Sequence, residues 1–238
     1  MKVIVKRQDG PSLESYWQTF DYDRDDISTV SAILEYLNYR DDLLDENGVA
    51  CRRIKWECSC MQKMCGACAM VVNREPVLAC SKFINAKETK EIRIEPLTKF
   101  PVVIDLCVDR SCIYDKLKEA EIYIGNLAEV NDKEYKYQYT VAKCLKCGLC
   151  LEVCPNYTGN AESFAGAVFA NESYLMHTLT DNRKNEIKKA YKSHFESGCS
   201  KSLACRDICP AKVPTLASIG YMNRLLNCRL SPNVRSYC

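Results

Sequence analysis

The chain has 238 residues, enough for one large domain or two small ones. Its 33 basic and 31 acidic side chains leave a net charge of +2, which argues against a nucleic-acid-binding protein. The sequence has no run of 18 apolar residues, and residues 1–10 lack the apolar core of a signal peptide. We therefore expect a protein that stays in the cytoplasm or on the cytoplasmic side of a membrane.

The first hundred residues predict a small sheet with one crossing helix. Alternating and β-branched residues predict strands, and a turn at residues 73–76 separates two of them. The predicted strands are residues 2–7, 16–22, 69–73, 77–80 and 91–97. The predicted helix follows the second strand, because apolar residues recur there at helical spacing on one face: Val30, Ile33, Leu34 and Leu37.

Helical patterns dominate after about residue 105. Two apolar stripes at helical spacing predict helices: Ile187, Ala190, Tyr191 and Phe195 form the first, and Leu216, Ile219 and Leu226 form the second. Pro214 precedes the second stripe, which is typical of a helix start. We therefore predict an α+β fold with two domains, residues 1–105 and an all-α domain at residues 106–238.

Cysteine is the dominant feature, with 17 residues in the chain. Thiols stay reduced in the cytoplasm, so metal binding is a better interpretation than disulfide formation. The first group has the spacing C-x4-C-x2-C with a distant fourth cysteine: Cys60, Cys65, Cys68 and Cys80. This is the plant-type pattern for a [2Fe–2S] cluster.

The loop of this first group suits a compact inorganic core. Gly66 lets the backbone approach the cluster, and backbone N–H groups can face its negative charge. We expect Cys80 to come from the strand after the predicted turn. A zinc site is the alternative, but zinc favours paired C-x2-C units, which this loop lacks.

The second group has the spacing C-x2-C-x2-C-x3-C-P: Cys144, Cys147, Cys150, Cys154 and Pro155. In two-cluster ferredoxins the fourth cysteine of such a run ligates the other cluster. The run recurs 55 residues later, with serine at one position: Cys199, Ser202, Cys205, Cys209 and Pro210. The repeat predicts two clusters that exchange their fourth ligands.

This exchange divides the thiols into two sets. The complete set, which predicts a [4Fe–4S] cluster, is Cys144, Cys147, Cys150 and Cys209. The incomplete set is Cys154, Cys199 and Cys205. A cubane with one corner unligated tends to lose that iron, so we predict a [3Fe–4S] cluster there. The alternative is a [4Fe–4S] cluster with Ser202 or another group as its fourth ligand.

The three motifs in this order resemble the iron–sulfur subunits of succinate dehydrogenase and fumarate reductase, and the resemblance covers nearly the whole chain. It implies an N-terminal β-grasp [2Fe–2S] ferredoxin-type domain and a C-terminal α-helical ferredoxin domain. It also implies a FAD-containing catalytic subunit as partner and a membrane anchor with quinone. Carried over by position, it implies the same three ligand sets as the spacing does.

The resemblance is incomplete where quinone-reactive relatives have characteristic residues. Such relatives often carry a tryptophan shortly after the position of Pro155, where this chain has Asn156 and Tyr157. Many also carry a histidine after the position of Cys199, where this chain has Ser200. These differences weaken the expectation of a quinone but not that of the clusters.

We therefore predict the electron-transfer subunit of a fumarate reductase or succinate dehydrogenase complex, an oxidoreductase, held on the cytoplasmic face through an anchor subunit. The chain shows no phosphate-binding glycine loop and no catalytic triad, so it has no predicted substrate site. Its many reduced cysteines favour an anaerobe and fumarate reduction. One alternative is the same electron-transfer subunit serving a related flavoprotein that reduces another alkenoate, with a soluble electron donor. Another is a free ferredoxin-like carrier or redox sensor.

Several residues outside the motifs have no predicted ligand role. The cysteines without a predicted ligand role are Cys51, Cys58, Cys107, Cys112, Cys228 and Cys238. His177 and His194 are predicted to be surface or helix-packing residues. The basic helical face is predicted to be solvated, with a docking patch as the alternative: Lys184, Lys188, Lys189 and Lys192. Arg52 and Arg53 are candidates for cluster neutralisation, flavoprotein docking or simple solvation.

Overall fold

A computed structural model describes residues 1–130, 132–159 and 164–227. These residues form two compact units. The first comprises Met1–Arg110 together with Cys147–Glu152, and the second comprises the remaining described residues. The domain boundary between residues 105 and 106 stays a prediction. No sequence signal indicated that the short segment Cys147–Glu152 belongs with the first unit.

The strands all lie in the first unit. They are β1 (Lys2–Gln8), β2 (Ser15–Asp21), β3 (Ile27–Thr29), β4 (Ala69–Val72), β5 (Glu75–Leu78), β6 (Phe83–Asn85), β7 (Glu91–Glu95), β8 (Val102–Ile104) and β9 (Cys107–Val108). The helices of this unit are α1 (Val30–Asn38) and α4 (Leu149–Glu152). Those of the second unit are α2 (Ser111–Glu119), α3 (Asp132–Val141), α5 (Gly166–Leu179), α6 (Lys184–His194), α7 (Ala204–Asp207) and α8 (Thr215–Asn227).

The main sheet of the first unit has the strand order β2-β1-β7-β4-β5. β1 pairs antiparallel with β2 and parallel with β7. The chain reaches the parallel partner, β7, only through a long crossing connection. Val3 and Val5 alternate with partly exposed residues along β1 and are fully buried. Helix α1 begins where the Thr29 side chain accepts a hydrogen bond from Ala32 N at 3.2 Å. Its position confirms the predicted helix.

The hairpin between β4 and β5 differs from the prediction by two residues. Asn73 and Arg74 have φ values of 50° and 68°, as a two-residue type I′ turn requires. Strand β5 therefore begins at Glu75, and Pro76 lies within this edge strand. Cys80 follows the strand in a 3₁₀ turn, so the prediction that the strand itself carries this thiol was wrong.

A buried ion-pair network ties three separate parts of the first unit together. The carboxylate of Asp105 is fully buried and accepts from Arg7 Nε at 2.9 Å, from Arg52 Nη2 at 2.8 Å and from the backbone N–H of Lys55 at 2.9 Å. Burial alone would raise the pKa of Asp105, but hydrogen bonds from Arg52 and Arg7 outweigh it and lower the pKa. Arg52 is thus a structural residue that fastens the segment leading to the Cys60 loop, a role that the sequence analysis did not include.

Replacing Asp105 with asparagine should lower the free energy of unfolding by about 3–5 kcal/mol, because the fully buried guanidinium of Arg7 loses its counter-charge, whereas Arg52 keeps its ion pair with Asp9. Guanidinium-induced unfolding followed by circular dichroism measures the change. Asp21→Asn is the matched control: its pair with Lys2 spans 3.1 Å but is exposed, and it should cost about 0–1 kcal/mol. Equal effects of the two substitutions would show that the Asp105 network contributes no special stability.

The second unit is built around the contact of α5 with α6 and α8. Its core contains three residues of the predicted first stripe, Ile187, Tyr191 and Phe195, all at most 2% exposed. The second stripe was only partly right. In α8 Ile219 is buried as predicted, but Leu216 and Leu226 are half-exposed, and the inner face is completed by Thr215, Ser218 and Met222.

Of the helices in the described part of the chain, none has the length and apolar character needed to cross a membrane.

Candidate iron–sulfur sites

The loop around Cys60 directs backbone N–H groups at cysteine sulfur atoms. Gln62 N and Met64 N lie 3.4 and 3.3 Å from Cys60 Sγ, and Lys63 N lies 3.2 Å from Cys80 Sγ. The loop can do this because Met61, Lys63 and Gly66 adopt left-handed backbone conformations, which turn successive N–H groups inward. The arrangement is a concave anion site formed by the main chain.

The four thiols of the first predicted set converge on this loop. Cys60 is within hydrogen-bonding reach of Cys65, and Cys68 is within reach of Cys80 and close to Cys65. The N–H groups of Gln62 and Met64 lower the pKa of Cys60 to about 7, whereas burial raises the pKa of Cys68 to about 12. Because metal coordination deprotonates a thiol outright, even the buried Cys68 suits a ligand role. The residues fit a [2Fe–2S] cluster.

The two ferredoxin runs repeat in conformation as well as in sequence. Lys146 and Gly148 have φ values of 51° and 89°, and the residues 55 positions later, Lys201 and Leu203, have 59° and 65°. A single helical turn follows each pair: α4 begins at Leu149 and α7 at Ala204, again 55 residues apart. The backbone therefore preserves a cluster-binding loop in both runs, including the run that carries Ser202.

The three thiols of the incomplete set line one cavity in the second unit. This cavity has a volume of about 50 Å³, and Cys154, Cys199 and Cys205 line it together with Ser202. Burial raises the pKa of Cys205, and the neighbouring Cys199 and Cys154 raise it further. Phe164, Phe195, Leu216 and Ile219 supply apolar walls. A compact polynuclear group with three thiolate ligands fits this donor set and its low-polarity surroundings.

The remaining set is divided between the two units. In the second unit Cys144 and Cys209 lie close enough for their charges to interact, and Val213 N lies 3.4 Å from Cys209 Sγ. Cys147 and Cys150 belong to the first unit, where Cys147 is 8% exposed.

A buried carboxylate that the sequence analysis missed secures the segment carrying Cys147 and Cys150. Glu152 Oε1 accepts from Thr98 N at 2.9 Å, and its Oε2 accepts from Lys99 N at 3.2 Å. All of these residues lie in the first unit. Glu152 thereby holds α4 against the chain before β8. In the sequence, Glu152 is marked only by its position between Cys150 and Cys154, two of the predicted ligands.

The other cysteines and both histidines have ordinary surroundings. Cys51 accepts a hydrogen bond from Gln18 Nε2 at 2.9 Å, and Cys58 is exposed. Burial raises the pKa of Cys107 to about 11, and Cys112 lies 3.5 Å from the hydroxyl of Tyr157. Cys228 and Cys238 lie outside the described residues.

His177 is a helix-packing residue, as predicted. It is 7% exposed and contacts the Tyr221 ring edge-to-face. Burial lowers the pKa of His177 to about 4, and the charges of Lys184 and Lys188 lower it further. His194 packs edge-to-face on Phe169.

Comparison with known proteins agrees with this pair of units. Residues 2–115 match the family model of the 2Fe-2S iron–sulfur cluster binding domain, and residues 140–213 match that of the 4Fe-4S dicluster domain. A solved structure, the Mycobacterium smegmatis Sdh1 complex in the apo form, contains a chain with the same fold. Its TM-score is 0.71 at 22% identity, and the match covers 98% of each chain.

Curated relatives align over most of the chain. The succinate dehydrogenase iron–sulfur subunit of Bacillus subtilis is 30% identical over 239 residues, which cover 95% of this chain and 92% of the relative. The fumarate reductase iron–sulfur subunit of Haemophilus influenzae is 28% identical over 88% of this chain and 84% of its own length. An iron–sulfur protein of Methanocaldococcus jannaschii is 29% identical over 90% of this chain, which spans 41% of that longer protein.

A [2Fe–2S] ferredoxin-type domain joined to a helical dicluster domain defines a multicluster electron-transfer protein. The chain belongs to the family of iron–sulfur subunits of succinate dehydrogenase and fumarate reductase. Both of these enzymes are oxidoreductase complexes. The predicted α+β fold class and electron-transfer function are thereby confirmed, as are the [2Fe–2S] and [4Fe–4S] cofactors, and the family carries a third cluster.

Gly148 should be required for the loop around Cys147. A Cβ atom there would lie 3.0 Å from the Phe100 ring, at a φ of +89°. Gly148→Ala should therefore destabilise the protein by about 1–3 kcal/mol and reduce the iron content of the purified protein.

Two glycine variants serve as controls. Gly48→Ala shares the left-handed strain, at a φ of +75°, but meets no atom within 4 Å, and Gly220→Ala meets neither clash nor strain. Unfolding free energy and iron and sulfide content per chain measure all three. A normal iron content in Gly148→Ala, with stability equal to that of Gly48→Ala, would contradict the expectation.

Proposed function

We propose that this chain relays single electrons between a FAD-containing catalytic subunit and a quinone or other carrier, through three clusters. The proposed [2Fe–2S] ligands are Cys60, Cys65, Cys68 and Cys80; those of the [4Fe–4S] cluster are Cys144, Cys147, Cys150 and Cys209; those of the [3Fe–4S] cluster are Cys154, Cys199 and Cys205. The supporting observation is that thiols separated by up to 51 residues in sequence share one cavity, at Cys154, Cys199 and Cys205.

When bound, an iron–sulfur cluster accepts and releases electrons at a potential set by its ligands, hydrogen bonds and burial. The chain's own contribution is to hold thiolates around each cluster and to face its charge with N–H groups. The tip of the first loop, Gln62 to Met64, is exposed, with Met64 at 70%. This exposed edge is where we propose that the flavin-bearing partner docks and electrons pass between the subunits.

The third cluster is proposed to be [3Fe–4S] because Ser202 occupies the position of Cys147 in a loop of the same conformation. A serine hydroxyl does not ionise readily at neutral pH, so it is a far weaker iron ligand than a thiolate. Among the described residues, the thiols that line the cavity beside it are Cys154, Cys199 and Cys205. We expect the iron at the fourth corner to be lost.

In a second candidate function, the same three clusters transfer electrons from a soluble donor to a flavoprotein that reduces another alkenoate. Ser200 lines the cavity where quinone-reactive relatives often have histidine. Tyr157 stands near the position where such relatives often have tryptophan. It is 6% exposed, lies against Cys112 and is not among the described residues that line this cavity. The match to part of the longer Methanocaldococcus protein shows that the module occurs in other architectures.

The location and further partners follow from the same proposal. We infer that the chain works on the cytoplasmic side of the membrane, bound to the flavoprotein and, if quinone is its acceptor, to a membrane anchor subunit. The division of residues 1–105 and 106–238 then corresponds to a [2Fe–2S] domain nearer the flavin and a dicluster domain nearer the acceptor. Fumarate reduction is the direction that we propose.

Ser202→Cys should convert the third cluster into a four-iron cluster. The purified protein should gain roughly one iron per chain, and the electron paramagnetic resonance (EPR) signal of the oxidised three-iron cluster should disappear. Ser200→Cys is the control, because this residue lines the same cavity but lies outside the repeated ligand positions. A four-iron signal from this site in the unmodified protein would overturn the assignment.

The proposed activity is tested on the native complex, purified anaerobically through this subunit and assayed for fumarate reduction with a reduced viologen dye. We expect a flavoprotein to copurify and fumarate to be reduced. A copurified flavoprotein that ignores fumarate but reduces another alkenoate would favour the second candidate. A monodisperse chain without any flavoprotein would support a free electron carrier instead.

A further inference from the structure

Arg110, whose side chain is largely buried, contacts the loops of two different proposed cluster sites. Arg110 follows β9, and its side chain is 14% exposed. Nη1 donates to the carbonyl oxygen of Gly66 at 3.1 Å, and Nη2 lies 3.3 Å from that of Ala67. Both carbonyls belong to the two residues between the proposed [2Fe–2S] ligands Cys65 and Cys68.

The same guanidinium reaches the first of the two ferredoxin runs, at Cys147. Nη1 lies 3.4 Å from the carbonyl oxygen of Cys147, a proposed [4Fe–4S] ligand. All of these residues belong to the first unit. Nη2 also pairs with the carboxylate of Glu57, which is 41% exposed. One side chain therefore cross-links two cluster-binding loops, and its ion-pair partner lies three residues before Cys60.

We infer that Arg110 is a positioning residue shared by the [2Fe–2S] and [4Fe–4S] clusters, and that its charge raises the reduction potential of both. This inference rests on the ligand sets of the proposed function. A reduced cluster carries one more negative charge than an oxidised one, so a fixed positive charge beside the ligand loops favours reduction. The effect is strong where burial limits screening by water.

Arginine suits this position for reasons of geometry. Its planar group offers five N–H donors in a fixed arrangement and stays protonated, so it can serve three carbonyl oxygens and a carboxylate at once. A lysine would keep the charge but would contact fewer of these oxygens. Glu57 has the opposite sign and is more exposed, at 41% against 14% for Arg110, so it reduces the effect of Arg110 without cancelling it.

The test is an EPR-monitored redox titration of both clusters in the purified complex. Arg110→Met should shift both midpoint potentials to lower values. Glu57→Gln should shift both to higher values, because the amide oxygen still accepts from Arg110 while the compensating charge is gone. Arg110→Lys should give shifts smaller than those of Arg110→Met. Arg93→Gln removes an exposed arginine of the same unit and should leave both potentials unchanged.

The two variants are expected to shift the midpoint potentials in opposite directions. If Arg110 had a purely structural role, Glu57→Gln would not raise the potential of either cluster. Unchanged potentials in Arg110→Met and Glu57→Gln, or a shift of one cluster alone, would overturn the inference. If Arg110→Met does not assemble its clusters, Arg110→Lys and Glu57→Gln decide the matter by the same criterion. Cluster signals that survive in Cys65→Ser and Cys147→Ser would refute the ligand sets, and hence the proposed function, independently of any potential.

Discussion

Anionic sulfur held inside a protein must be met by hydrogen-bond donors, and this requirement shapes the cluster-binding loops of this chain. At Cys60 the donors are backbone N–H groups, which Gln62 and Met64 present at 3.3–3.4 Å. The backbone can present them only by alternating into the left-handed region at Met61 and Lys63, a conformation that costs non-glycine residues about 1–2 kcal/mol each. The loop accepts this strain because negative charge at the thiols is stabilised in return.

The two ferredoxin runs share this backbone geometry although serine stands at one of the predicted ligand positions in the second run. Gly148 adopts its left-handed conformation without cost, whereas its equivalent Leu203 adopts nearly the same conformation with a branched side chain. Ser202 replaces the thiol within this unchanged loop. The backbone thus forms the same loop around one fewer predicted ligand, which is the arrangement expected if a three-iron cluster occupies it.

Arginines serve two distinct purposes in the first unit. Arg7 and Arg52 donate to the same buried carboxylate, Asp105, and their contribution is to hold the fold together. Arg110 instead donates mainly to carbonyl oxygens of the cluster loops, and its carboxylate partner, Glu57, is half-exposed. The acceptors, rather than the residue type, therefore determine whether a guanidinium group stabilises the fold or acts on a cofactor.

The sequence by itself determined the features that depend on local spacing. Three cysteine motifs, the 55-residue repeat and the apolar faces of β1, α1 and α6 were all readable from it, because thiolate ligands and buried side chains must recur at fixed intervals along a short segment. Tertiary structure decided the long-range polar contacts: Asp105 with Arg7, Glu152 with Thr98, and Arg110 with Gly66. These partners lie between 44 and 98 residues apart, and single polar residues carry no periodic signal. Only the folded chain shows which of its many charged side chains are buried and what they contact.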